Sequence, residues 1–168
     1  MKKYSNLPYL VLVFLLQLVL SDYVHLGPWL YLCLVPFLIL NIPLQRSPHV
    51  VMLIAFGMGL LLDVLSDGVP GLNAFAAVLA AAPRKFFYRS LVNGDRQDRT
   101  EILRIREVDT LKYVKFLAAL TATYMIGYLL LDCVSFRPAG FVLLKFIVST
   151  VASIALSLLL ALPVRSQN

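Results

Sequence analysis

The sequence predicts an all-α bundle that crosses a lipid bilayer about six times. Three observations carry this expectation. Of the 168 residues 60% are hydrophobic, with a mean hydropathy of +0.84, whereas a water-soluble domain of this size is usually about half apolar or less. The apolar residues are gathered into blocks rather than scattered. Nine of the fifteen Lys/Arg fall in one interval, residues 84–115, as in a cytoplasmic loop between spans.

Each span follows from its own block. "MKKYSNLPYLVLVFLLQLVLSDY" has the basic start and apolar stretch of a signal peptide. It lacks a small-x-small cleavage site, so it reads as a retained helix over residues 7–21. The second helix is expected over 27–44, containing Pro36 and ending near "NIPLQRSPH". The third (49–65) and fourth (71–87) are short against the ~20 residues of a perpendicular span. The fifth runs over 112–132 and the sixth over 140–163, ended by Pro163.

Charge sets the orientation. With both termini in the cytoplasm, the inner side holds Lys2, Lys3, Arg46, the nine cations of 84–115 and Arg165, leaving Arg137 and Lys145 outside. This is the distribution that the positive-inside rule favours. A five-span arrangement worsens it little, so the number of spans rests on hydropathy. The chain is thus expected as one integral membrane domain, 1–168, with a basic cytoplasmic loop at about 84–112. In that loop "RKFFYRSL" continues the fourth helix as an amphipathic interfacial turn, and "NGD" marks a turn. Asp98 and Glu101 have capping-box spacing before a helix running into the fifth span. Five acids make the loop mixed in charge, and no aromatic-interleaved nucleic-acid platform accompanies it.

Residues 55–75, "AFGMGLLLDVLSDGVPGLNAF", set a carboxylate into lipid-compatible sequence. Asp63 lies fourteen residues beyond His49, about 21 Å along a helix, near the outer end of the hydrocarbon. Two readings stand side by side. Asp63 is either a helix-end acid with a solvated head, or it faces the bundle and anchors several helices. In the second case it pairs with Lys145 or Arg137, or bonds backbone groups of the 66–72 loop. Asp67 and Gly68 finish the helix, and Pro70-Gly71 turn the chain into the next one. Gly57, Gly59 and Asn73 complete the candidate contact centre. Ala55/Gly59, Ala76/Ala80 and Ala77/Ala81 have the small-xxx-small spacing of a tight helix hairpin.

The pattern "GLLLDVLSDGVPGLNAF" resembles the signature of the MreD family of rod shape-determining membrane proteins, with Gly59, Leu60, Asp63, Gly68, Gly71 and Ala74 as the matching residues. Chain length, span layout and the basic loop before the last two spans are also similar. The 84–112 loop departs in being longer and more charged than in many relatives. The resemblance implies a non-catalytic scaffold, without cofactor, of the bacterial inner membrane. Such a scaffold sits beside MreC in the elongation machinery, which links the MreB cytoskeleton to RodA and the elongation-specific penicillin-binding protein for peptidoglycan synthesis. It also implies a fold similar to the substrate-binding component of energy-coupling-factor transporters.

Other chemistries find less purchase. An intramembrane aspartyl protease needs two facing carboxylates. Asp63 and Asp132 are candidates, but a contiguous Gly-x-Gly-Asp is absent. No G-x-S-x-G, H-E-x-x-H or P-loop pattern occurs. His25 and His49 fall on opposite sides of the membrane in this topology, so they share no metal, and Cys33 and Cys133 read as apolar fillers. Ser149, Ser153 and Ser157, four apart, are expected to line a helix–helix seam. Most tyrosines, among them Tyr9, Tyr31, Tyr88, Tyr113 and Tyr128, read as interface anchors. The main rival is a vitamin-binding transporter component. Few polar groups are available to line its cavity: Gln17, Asn41, Asn73, Thr121, Thr123 and Tyr124.

Overall fold

The computed structural model describes residues 7–23, 30–44, 46–66, 70–92, 110–132 and 139–166. These residues contain no strand. The helices are α1 (Leu7–Tyr23), α2 (Val35–Leu40), α3 (Pro48–Leu65), α4 (Leu72–Ala81), α5 (Arg84–Phe87), which passes into a π-helical turn (Tyr88–Val92), α6 (Thr110–Asp132) and α7 (Ala139–Ser166). Three of them, over Pro48–Leu65, Thr110–Asp132 and Gly140–Ala161, are long and apolar enough to cross a membrane, and Pro8–Ser21 is a shorter apolar helix.

Two expected elements are built differently. The second block is helical only over the six residues of α2, and residues 30–34 before it are non-helical. Pro36 accounts for part of this, since proline is favoured in the first helical turn, where its missing N–H costs nothing, and so suits a helix that starts at Val35. The sixth block does not stop at Pro163, because α7 continues to Ser166. The turn at 93–95 and the helix proposed from Asp98 and Glu101 lie outside the described residues.

Every residue of α2 is buried. A helix apolar on all sides suits either a protein core or a bilayer, and α2 takes the core, packing on α1, α3, α4 and α6. α3 and α4 form the tightest pair. Ala55, Ala76, Ala77 and Ala80 are fully buried, and such small side chains let backbones approach. Gly59 shows how closely: a Cβ there would lie 2.5 Å from the Ala74 Cα and 2.6 Å from the Asn73 oxygen. Gly127 does the same for α6 against α4, where a Cβ would meet Leu79 Cδ2 at 2.9 Å and the Ala76 Cα at 3.1 Å. Outward faces are Leu- and Val-rich, as Leu53 (70% exposed), Val64 (71%) and Val151 (63%) illustrate. In water these continuous faces would be aggregation sites, whereas acyl chains would solvate them.

Candidate functional site

Asp63 ends the buried face of α3 and meets the start of α4. The α4 N-cap is Gly71, which has no side chain and stands at φ +92°, in the left-handed region that glycine tolerates. A helix start leaves N–H groups without partners, normally answered by a Ser, Thr, Asp or Asn at the cap itself. Here the answer comes from the preceding helix. Asp63 Oδ2 accepts the N–H groups of Gly71 (2.9 Å) and Ala74 (3.1 Å), and Oδ1 accepts the N–H and Nδ2–H of Asn73 (both 3.0 Å). The residue is 3% exposed. Charge at this depth is tolerable because all the donors converge on it and the α4 terminus carries partial positive charge.

Of the arrangements open for Asp63, the structure therefore has the one with loop and helix backbone. Lys145 is not its partner: its Nζ donates to Asp132 Oδ2 at 2.7 Å, the ion pair found among the described residues. Arg137, Asp67 and Gly68 lie outside the described residues. Pro70 is exposed in the turn. Gly57 takes no part in the close packing, since a Cβ there would meet no atom within 4 Å.

Asn73 extends the joint inward. Its Oδ1 accepts hydrogen bonds from Tyr31 Oη (2.7 Å) and Tyr124 Oη (2.6 Å), so α4 is tied to the 30–34 segment and to α6. The Tyr31 ring stacks on Tyr128 at 4.2 Å between centroids, and Lys145 Nζ lies 5.4 Å over the Tyr128 ring. Tyr31 and Tyr128 are thus bundle residues, as is Tyr113 at 3% exposure, not the interface anchors that aromatic frequency implied. Tyr9, on α1, donates its hydroxyl to the Leu160 carbonyl of α7.

The non-helical stretch 30–34 raises an accounting question, because Cys33 and Leu34 are fully buried and buried backbone N–H and C=O groups must find partners. Tyr31 N–H donates to Ser149 Oγ (2.9 Å) and Cys33 N–H to Ser153 Oγ (3.0 Å). On the other side Gln17 donates from Nε2 to the Leu32 carbonyl (3.2 Å), and its Oε1 accepts the Leu34 N–H (2.5 Å). The partners alternate along the segment, as they do along a strand: the N–H groups of residues 31 and 33 turn to α7, and the Leu32 carbonyl and Leu34 N–H turn to α1. The spacing also matches. Four residues of α7 rise about 6 Å and two extended residues about 6.6 Å, so serines four apart meet N–H groups two apart. Ser149 and Ser153 thus meet the non-helical backbone of residues 31 and 33 rather than a second helix.

A cationic counterpart sits at the end of α2. Arg84, 2% exposed, donates from Nη2 to the Leu40 carbonyl (3.2 Å) and to the Ile42 carbonyl. These carbonyls lie at the C-terminal end of α2, where the chain leaves acceptors unpaired and favours positive charge. Burial alone would have argued against an arginine here. Its signal in the sequence was position, within the fourth block and directly after the alanine-rich run that ends at Ala82.

Chemically, these side chains hold backbone. Asp63 and Asp132 are engaged by different partners, and among the described residues no three His, Cys, Asp or Glu gather as a metal set would. No protein-family model matches the chain, nor does any curated protein or solved structure.

Proposed function

We propose that this chain is a non-catalytic scaffold of the MreD type in the bacterial inner (cytoplasmic) membrane, serving the cell-wall elongation machinery that governs cell shape and peptidoglycan synthesis. In this reading it crosses six times with both termini in the cytoplasm. The crossings are α1, the stretch around α2, α3, α4 with α5, α6 and α7.

The observation that carries the reading is the Asp63 joint. The segment resembling the family signature holds a carboxylate with four hydrogen bonds, three of them to backbone N–H groups. That arrangement fixes the angle between two helices and offers no free acid for proton transfer. Gln17, Asn73, Ser149 and Ser153 are likewise engaged inside the bundle. A vitamin-binding transporter component needs such groups directed at a ligand, which makes it the weaker reading. The partners proposed are an MreC-like protein and, through it, MreB, RodA and the elongation-specific penicillin-binding protein.

The test is recovery of the tagged full chain from membranes in mild detergent, with quantitative mass spectrometry of what accompanies it. Enrichment of MreC-like and RodA-like proteins over an untagged control is the expected result. Their absence, together with saturable nanomolar binding of a vitamin by the purified chain, would replace the scaffold with the transporter component.

A further inference from the structure

The nine cations of residues 84–115 divide into two sets. Arg96, Arg99, Arg104 and Arg106 stand among five carboxylates in residues 93–109, so that stretch is near balance by itself. The surplus lies on its flanks, in Arg84, Lys85 and Arg89 on one side and Lys112 and Lys115 on the other. The fold brings the flanks together. α5 and the π turn pack on the first part of α6, and Tyr88 meets Phe116 edge-on at 6.2 Å between ring centroids.

Arg89, Lys112 and Lys115 are exposed, Lys85 is half-buried, and Phe86, between Lys85 and Arg89 in the chain, is 69% exposed. Arg84, at the start of α5, is buried, and among the described residues its hydrogen-bond partners are carbonyls and its Nε has none. The described carboxylates are remote. Asp132 ends α6 twenty residues above Lys112, about 30 Å away and several screening lengths in physiological salt. Asp63 is taken up at the start of α4. An exposed cluster of one sign, backed by a buried cation and set beside a protruding phenylalanine, has the complement of a phosphate headgroup attached to acyl chains.

We infer that Lys85, Arg89, Lys112 and Lys115 form a binding surface for the headgroup of an anionic phospholipid, with Phe86 seated among its acyl chains. The surface requires only that the chain lies in a bilayer, so it stands or falls separately from the scaffold reading. The experiment titrates the purified, delipidated full chain in neutral detergent with phosphatidylglycerol and, separately, with phosphatidylcholine, read by native mass spectrometry. Saturable uptake of phosphatidylglycerol in preference to phosphatidylcholine is expected. R89Q/K112Q/K115Q should bind phosphatidylglycerol at least roughly tenfold more weakly. K2Q/K3Q/R165Q, which loses the same charge at the chain ends, should stay within about twofold of the parent. Equal uptake of the two lipids, or equal weakening in both triple variants, would overturn the surface. So would undiminished binding in R89Q/K112Q/K115Q, which would assign the rim to the carboxylates of 93–109.

Discussion

Asp63 of α3 accepts the Ala74 N–H of α4 at 3.1 Å, while one turn earlier Gly59 lies against the same residue with no room for a methyl group. Attraction and clearance thus converge on Ala74. The carboxylate reaches the start of α4 because the glycine lets the two backbones close, and the close approach in turn keeps water from competing for the carboxylate.

Removing the carboxylate should loosen the whole hairpin. Asp63→Ala leaves three backbone N–H groups and the Asn73 amide without their acceptor, at about 1–3 kcal/mol for each donor that stays buried. A loss of at least about 3 kcal/mol is expected, read as a drop on the order of 10 °C in the melting temperature of the detergent-solubilised chain. Asp63→Asn should fall in between, since its one oxygen still accepts while its NH2 group confronts donors. Parent-like melting of Asp63→Ala would show that the joint contributes little.

Two glycines two residues apart should respond in opposite ways. Gly59→Ala places its methyl group into the backbone of α4, where no side chain can rotate aside, and overpacking of this kind costs about 1–3 kcal/mol or more. Gly57→Ala meets nothing and replaces a poor helix former, so it should be neutral or stabilise by up to about 1 kcal/mol. Melting curves of the two variants side by side give the sign of each.

The 30–34 segment should depend on the two serines of α7 that hold it. Ser149→Ala with Ser153→Ala strips the acceptors from Tyr31 and Cys33 N–H. Helix-to-helix hydrogen bonds in membranes average only about 0.6 kcal/mol, but these donors have no helical alternative, and an unpaired backbone group in hydrocarbon costs several kcal/mol. The measurable consequence is exposure of the Cys33 thiol, which is fully buried in the parent. In a Cys133→Ser background, maleimide labelling at residue 33 should rise at least roughly tenfold in the double serine variant. Slow labelling in both would show that the segment is held by packing.

Hydropathy located the long helices well. α3 begins and ends within a residue of the expected 49–65, and α6 within two of 112–132, because a continuous apolar run in lipid has little choice but helix. The same logic misplaced the second block. "LYLCLVPFLIL" reads as helix by composition, and what overrides this is tertiary: Gln17 from α1 and serines from α7 satisfy non-helical backbone there. Asp63 was conspicuous as a lone acid, but nothing in the sequence distinguished Lys145 from backbone as its partner. The competing claim on Lys145 came from Asp132, an acid that belongs to the adjacent helix end. Tyr31 read as an interface anchor and Tyr124 as a polar group open to a cavity; their shared acceptor, Asn73, puts both in one joint.

The bonds from residues 31 and 33 to residues 149 and 153 span 118 and 120 positions of chain. A ribosome therefore delivers the second hydrophobic block long before the serines that complete it. Until α7 is inserted, those amides must borrow acceptors from water, lipid headgroups or the insertion machinery. Nascent chains halted before residue 149 should accordingly remain open to protease around residue 33, however much of α1, α3 and α6 they already contain.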